Sequence, residues 1–356
     1  MVGRRRVALA LGSGGARGYA HIGVIRVLEE RGLELATIAG SSMGALVGGV
    51  HAAGKLEDYT DWAQSLRQRD VVRLLDLSLS SPGVIRAEKI LARVRELLGD
   101  TTIEELAIPY TAVATDLLTG REVWFQKGPL DKAIRASIAI PGVITPLMLN
   151  GRLLADGGVT NPVPIAPTSG VHTDLTIAVS LAGEDASGAG GAVQETAESR
   201  PVEEWTDRFR ASASHLLGSD VIRTLLRPFG KGSHPAEDLS AEDIAHAEAQ
   251  ATAVLEELGA VEALPAGLGK FEMMNRSLET MQSVLIRYRS AGYPPDVLIT
   301  VPRDACRIVD FHRAAEMIEL GRSLAGEALD RAGIASPADR SSPVELDVSE
   351  GKPRLD

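Results

Sequence analysis

The chain has 356 residues, of which 44% are hydrophobic, 24% are charged and 4% are aromatic, and its formal net charge is −11. This is the composition of a globular protein long enough for a sizeable core. We expect no nucleic-acid partner, because binding to phosphates needs a cationic face. Cys306 is the only cysteine, which excludes a framework of intrachain disulfides and fits a reducing compartment.

The N-terminal residues predict neither a leader nor an anchor. An apolar run over residues 7–11 passes into glycines at Gly12, which is too early for a secretory signal peptide. No stretch approaches the roughly 18 apolar residues of a membrane span. We therefore expect a cytoplasmic protein, which leaves room for peripheral contact with a membrane.

The first third of the chain alternates short strands and helices. Residues 6–11 form an apolar run typical of a buried parallel strand, and apolar positions over 22–28 fit a helix that Gly32 ends. Residues 37–39 predict a second strand, and residues 45–53 a buried helix of small side chains. This order predicts an α/β fold with a mostly parallel sheet.

The remaining predicted strands cover residues 110–115, 122–125, 147–149, 152–154, 174–181 and 296–301. Asn150 and Gly151 indicate a tight hairpin between the third and fourth of these. Predicted helices cover residues 202–217, 241–258, 273–288 and 311–332.

Four regions follow from this pattern. Residues 5–181 are the expected catalytic core, and residues 182–200, rich in Gly, Ala, Glu and Ser, predict a flexible linker or loop. Residues 201–335 predict a helical extension whose late strand packs on the core. The polar residues 336–356 predict a disordered tail.

A glycine-rich loop, Gly12–Gly18, follows the first strand and precedes a helix. Free backbone N–H groups at such a place bind anions. The loop lacks the Lys-Ser/Thr pair of a nucleotide P-loop and the acidic residue that ends the second strand of a dinucleotide fold. A tight turn, a phosphate- or nucleotide-binding module and an oxyanion-binding loop all remain open from this motif alone.

A second motif, Gly40-Ser41-Ser42-Met43-Gly44, lies between the second strand and the small-residue helix. This is the setting of a nucleophile elbow, in which flanking glycines allow close backbone approach and the serine sits at a helix N-terminus. Both motifs follow neighbouring parallel strands, so their side chains and N–H groups can share one site. Ser42 is the candidate nucleophile.

Asp156 precedes Gly157 and Gly158, directly after the predicted hairpin. Its carboxylate could accept the proton of Ser42, or it could simply form an Asx-turn. Histidine is the more usual base, and His312 follows in the chain order of an α/β-hydrolase triad. His312, however, lies within a predicted helix, so it stays the alternative.

Together the three motifs resemble the patatin-like phospholipases, in particular the bacterial branch similar to the catalytic part of neuropathy target esterase. Gly14-Gly15-Ala16-Arg17-Gly18 is similar to the family's oxyanion loop, Gly40–Gly44 to its serine elbow, and Asp156-Gly157-Gly158 to its aspartate motif. The resemblance covers roughly residues 7–181. Ser13 is a departure, since many members have glycine there.

The resemblance implies a three-layer α/β/α sandwich and a Ser42–Asp156 dyad without histidine, metal or cofactor. It implies that backbone N–H groups of Gly14 and Gly15, with Arg17 nearby, hold the oxyanion. The implied substrate is a lysophospholipid or phospholipid ester, and soluble acyl esters or thioesters are the alternative. Oligomeric state is not implied.

Overall fold

The computed structural model of the protein describes residues 4–74, 88–183 and 270–334. All of them belong to one of the two compact units into which the chain divides. Several predicted segments lie outside the described residues: most of the linker, the helices over 202–217 and 241–258, and the tail.

Eight strands form one sheet within the described ranges. They are β1 (Arg6–Leu11), β2 (Glu34–Ser41), β3 (Tyr110–Asp116), β4 (Arg121–Phe125), β5 (Leu147–Leu149), β6 (Arg152–Asp156), β7 (Leu175–Gly183) and β8 (Val297–Pro302). The order is β5-β6-β3-β2-β1-β7-β8, and β4 pairs with β3. Strands β3, β2, β1, β7 and β8 run parallel to one another. The mostly parallel sheet predicted from the sequence is confirmed.

The described helices are α1 (Ala20–Glu30), α2 (Met43–Ala52), α3 (Leu56–Ser65), α4 (Gln68–Leu74), α5 (Glu88–Leu98), α6 (Leu130–Ser137), α7 (Lys270–Gly292) and α8 (Ala314–Arg331). Helices α1, α2, α7 and α8 agree with the predicted ones to within a few residues. Helices α3 to α6 were not predicted from the sequence. A short 3₁₀ turn, Phe311–Arg313, replaces the start of the predicted last helix.

Both faces of the sheet are covered, as a sandwich requires. In β1, Val7, Leu9 and Leu11 pack into the large core shared with α1, α2 and α8, whereas Ala10 packs on the opposite face, next to Ile286 of α7. This alternation follows from the period of two in a strand. It places α7 on one face of the sheet and the α1–α2–α8 group on the other. No helix among the described residues is both long and apolar enough to span a bilayer.

Strands β2 and β6 meet end to end on one edge of β3. Strand β2 is parallel to β3 and ends with Ser41 opposite Val113. Strand β6 is antiparallel to β3 and ends with Asp156 opposite Ala114, the next residue of β3. Because β4 occupies the other edge at both positions, β2 and β6 share an edge. Their ends therefore converge, which brings together two segments that are more than 100 residues apart in sequence.

Candidate active site

Ser42 lies in a sharp turn between β2 and α2. Its backbone angles are φ 56° and ψ −124°, a left-handed conformation that costs a non-glycine residue of order 1–3 kcal/mol. A Cβ on Gly40 would overlap the backbone of Gly44, and a Cβ on Gly44 would overlap the backbone of Leu11. The two glycines of the motif are thus needed for close packing, as the elbow interpretation predicts.

Hydrogen bonds on either side hold the turn in place. The Ser42 N–H donates to Oγ of Ser137 at 2.9 Å, and Ser137 in turn donates to the Val113 carbonyl at 2.6 Å. The Ser41 hydroxyl donates to the Asn161 carbonyl at 2.7 Å. Ser42 itself is 2% exposed, and its Oγ takes no part in this scaffold. The strained backbone is therefore fixed while the hydroxyl is left for chemistry.

Asp156 ends β6 and is 4% exposed. One carboxylate oxygen, Oδ1, accepts the Gly158 N–H at 2.7 Å, so the Asx-turn considered from the sequence is present. The other, Oδ2, is buried and has no hydrogen-bond partner among the described residues. Burial raises the pKa of Asp156 to about 7, although the Ser42 hydroxyl and the Gly158 N–H both lower it. A carboxyl with such a pKa can act as a base near neutral pH.

Of the described histidines, none lines a pocket that contains Ser42. His312 lies near Glu316, whose pKa is lowered mainly by the hydrogen bond from Arg313 and least by His312. His21 is fully buried, and its Nε2 contacts the Gly12 carbonyl at 2.8 Å, which assigns the proton to Nε2. Burial lowers the pKa of His21 to about 4. His21 therefore supports the glycine-rich loop as a neutral side chain.

The N–H groups of the first five residues of the glycine-rich loop, Gly12 to Ala16, divide into two sets. Those of Gly12, Ser13 and Ala16 donate to the carbonyls of Val179, Pro162 and Ile308, each at 2.9 Å. Those of Gly14 and Gly15 have no acceptor among the described residues. Both glycines line a pocket that contains Ser42. The two N–H groups that the resemblance assigns to an oxyanion are thus the ones left unengaged.

Arg17 is buried, and its guanidinium is committed to protein acceptors. Nε donates to the Gly14 carbonyl at 3.3 Å, Nη1 to the Arg303 carbonyl at 2.9 Å, and Nη2 to Glu279 at 2.6 Å. The C=O of Gly14 and the N–H of Gly15 belong to one planar peptide and point in opposite directions. Arg17 therefore orients the Gly15 N–H by holding the Gly14 carbonyl.

Two pockets meet at Ser42. The first holds about 790 Å³ of empty space, a volume that includes the open solvent at its mouth. Its lining is almost entirely apolar and aromatic, with Tyr19, Met43, Leu46, Tyr59, Trp62, Ile140, Ile144 and Phe311 among the residues. The second, here called the polar pocket, is the more polar of the two: its lining includes Ser13, Arg17, Asp156, Asn275, Glu279 and Gln282 beside apolar residues such as Val159 and Leu278. Gly15, Ser42, Ile140 and Ile308 line both.

Several contributors to the site have no motif that marks them. Ser137 lies at the end of α6, a helix not predicted from the sequence, and Glu279 and Gln282 lie on α7. Ser13, the departure from the family pattern, has a buried hydroxyl with no hydrogen-bond partner in the part of the chain that the structure describes. The sequence predicted a helix over residues 273–288, but nothing in that pattern indicated that Glu279 and Gln282 reach the site.

Comparisons with known proteins identify the family. The profile of the patatin-like phospholipases matches residues 9–168. An uncharacterized NTE family protein of Mycobacterium tuberculosis is 53% identical over 350 residues, which are 96% of each chain. Patatin-like phospholipase domain-containing protein 6 of Homo sapiens is 33% identical over 182 residues, 49% of this chain and 13% of that protein. The chain therefore belongs to the NTE family of patatin-like phospholipases, which are hydrolases of carboxylic esters.

Proposed function

We propose that the protein hydrolyses acyl esters of lipids through an acyl-enzyme on Ser42, with Asp156 as the base. One observation carries the proposal: Ser42 lies where an apolar pocket meets a polar pocket that contains Asp156 and the unengaged N–H groups of Gly14 and Gly15. Acyl transfer needs a nucleophile, a base, oxyanion donors and separate places for the two halves of an ester.

The reaction has two halves. Asp156 accepts the proton of the Ser42 hydroxyl as Oγ forms a bond to the ester carbonyl carbon, and the N–H groups of Gly14 and Gly15 stabilise the resulting oxyanion. The C–O bond to the alcohol then breaks, and Asp156 returns the proton to the leaving oxygen. In the second half, Asp156 takes a proton from water, the resulting hydroxide attacks the acyl carbon, and Ser42 regains its proton as the acid leaves.

The residues that line the two pockets support a proposal for the substrate. The apolar pocket accommodates the acyl chain, and the polar pocket accommodates the alcohol part. A lysophospholipid or phospholipid supplies both parts in one molecule, so we propose these lipids as substrates. Soluble acyl esters and thioesters also present an acyl carbonyl to Ser42, and those with short acyl chains should be weaker substrates because they leave the apolar pocket empty.

The first test is a chain-length series. With p-nitrophenyl esters of increasing length, kcat/KM should rise about fourfold for each added CH₂ until the pocket is filled, because burying a CH₂ contributes about 0.8 kcal/mol. Lysophosphatidylcholine should be hydrolysed alongside the longer esters. Rates measured below the critical micelle concentration, with Ser42→Ala as the blank, provide the check. A series that falls steadily from the acetyl ester onward would contradict an acyl-chain pocket.

A peripheral contact with lipid surfaces, from a cytoplasmic location, is part of this proposal. Helix α7 lines the polar pocket and carries large apolar side chains that are 40% to 78% exposed: Met273, Met274, Met281, Val284 and Tyr288. At 100° per residue they fall within about 100° of arc. Such a stripe beside the substrate pocket supports docking on a lipid surface, where methionine and tyrosine suit the interface.

The second test is co-sedimentation with phosphatidylcholine vesicles. Replacement of Met281 and Tyr288 by Gln together should weaken binding about tenfold, because two large apolar side chains lose their buried area. Leu118→Gln, at an exposed residue of the β3–β4 turn, serves as the control and should bind like the wild type. Equal binding of the double variant and the wild type would refute docking through α7.

A further inference from the structure

Helix α7 contacts both loops on which the proposed reaction depends. Glu279 pairs with Arg17 of the glycine-rich loop, 262 residues away in sequence, at 2.6 Å. Three residues later on the same helix, Gln282 donates to the Gly158 carbonyl at 3.1 Å. Gly158 follows Asp156 by two residues and donates to its carboxylate. One helix thus joins the oxyanion donors to the base.

We propose that Glu279 and Gln282 are positioning residues: Glu279 fixes the oxyanion loop through Arg17, and Gln282 fixes the base through Gly158. This inference rests on the proposed function, since it assigns roles within that reaction. Neither residue contacts the reacting atoms in this scheme. Each acts through one intermediate residue on a group that does.

The link from Glu279 through Arg17 to the oxyanion loop depends on a buried charge. The Arg17 side chain is 4% exposed and that of Glu279 is 21% exposed. A guanidinium at such depth needs an acceptor of opposite charge. With Glu279 in place, the guanidinium also holds the carbonyls of Gly14 and Arg303. Loss of the carboxylate would loosen the Gly14 carbonyl and, with it, the direction of the Gly15 N–H.

The link from Gln282 to Asp156 depends on close packing around Gly158. A Cβ on this residue would lie 2.7 Å from Nε2 of Gln282 and would overlap the Ser13 hydroxyl. Gln282 therefore closes the space beside Gly158 and holds its carbonyl. The hydrogen bond from Gln282 holds the peptide so that the Gly158 N–H donates to Oδ1 of Asp156. Burial raises the pKa of this carboxyl, and the bond from Gly158 opposes that rise. The charged groups that line the same pocket, Arg17 and Glu279, form a pair.

The experiment compares Glu279→Gln and Gln282→Met in the full chain, with p-nitrophenyl butyrate as substrate. Glu279→Gln keeps an acceptor oxygen but removes the charge, so kcat should fall roughly tenfold to hundredfold with KM within about twofold. The acid limb of its pH profile should not move to higher pH, because the uncompensated charge of Arg17 favours the Asp156 carboxylate. Gln282→Met should instead move the acid limb to higher pH by about half a unit, since the carboxylate loses support.

A graded pair separates positioning from folding. Glu279→Leu, which removes the acceptor, should have a lower kcat than Glu279→Gln at a temperature where circular dichroism shows both to be folded. If Glu279→Leu does not fold, the kcat of Glu279→Gln alone tests whether Glu279 fixes the oxyanion loop.

Two matched controls accompany these variants. Glu316→Gln breaks an exposed pair with Arg313, also at 2.6 Å, and Gln126→Met removes a bond to Thr111. Both should keep wild-type kinetics and the wild-type acid limb. Folded Glu279→Gln and Gln282→Met variants with wild-type kcat, KM and pH profile would overturn the inference. Turnover that survives Ser42→Ala would instead overturn the proposed function.

Discussion

Ser42→Ala should abolish turnover and covalent labelling. Without the hydroxyl there is no nucleophile, and loss of a catalytic serine lowers kcat by about 10⁴-fold or more. A fluorophosphonate probe should label the wild type at one equivalent, and mass spectrometry should place the label on Ser42. Wild-type protein that does not react would contradict a serine hydrolase, and label retained by Ser42→Ala would move the nucleophile elsewhere.

At position 42, the glycine variant should be more stable than the alanine variant. Ser42 has a φ of 56°, which glycine adopts freely and alanine does not. Relief of strain worth 1–3 kcal/mol, less a glycine entropy cost of 0.5–1 kcal/mol, predicts that Ser42→Gly is about 1 kcal/mol more stable than Ser42→Ala. Urea unfolding of the two inactive variants measures the difference.

Ser169 provides a control of opposite sign. It has an ordinary φ of −69° and donates a hydrogen bond to the Ala166 carbonyl that either substitution removes. There, the glycine variant should be less stable than the alanine variant. If glycine is also the less stable substitution at Ser42, the turn does not store strain.

Asp156→Asn should lower kcat/KM by about 10²–10⁴-fold, the usual contribution of a general base. In the wild type, kcat/KM should be half its plateau near pH 7 and fall tenfold per pH unit below that, because the base must be deprotonated and burial raises the pKa of Asp156 to about 7. His312→Ala should retain activity and the same profile. A loss with His312→Ala as large as that with Asp156→Asn would restore the histidine triad.

The same substitution should stabilise the fold at alkaline pH. The pKa of Asp156 is raised from 3.8 to about 7 in the folded protein, so between these values the folded state holds a proton that the unfolded state has lost. Wild-type stability contributed by this group therefore falls as pH rises through that window. Asp156→Asn should gain about 1–2 kcal/mol at pH 8, and the gain should shrink as the pH is lowered to 5.

Asp116→Asn is the matched control for stability. This buried aspartate accepts hydrogen bonds from the Leu118 N–H at 3.1 Å and the Thr119 hydroxyl at 2.9 Å, so its carboxylate is well supported. The asparagine variant should be less stable than the wild type at pH 8. A destabilised Asp156→Asn at pH 8 would show that the Asp156 carboxylate is supported in the same way.

The elements that could be predicted are those with strong local signals. Strand β1 was predicted to the residue, and the Asn150-Gly151 hairpin was recognised because its turn demands those two residues. Helices α3 and α5 were missed although α5 has a clear helical pattern, with apolar residues at Ile90, Leu91, Val94, Leu97 and Leu98. Strand β2 was predicted too short, since Gly40 and Ser41 have low strand propensity but pair with Ala112 and Val113.

The sequence by itself determined the three motifs as local patterns. At Gly40 the physical reason is also local, because a Cβ there would overlap the backbone of Gly44. At Gly44 it is tertiary, since a Cβ there would overlap the backbone of Leu11 in β1. The tertiary structure decided everything that depends on distant segments. Asp156 meets Ser42 because β2 and β6 end at adjacent residues of β3. Its pKa is raised because packing removes water, and Arg17 orients the loop because α7 supplies Glu279. Strand pairing and burial are properties of the folded chain, and local sequence carries no direct record of them.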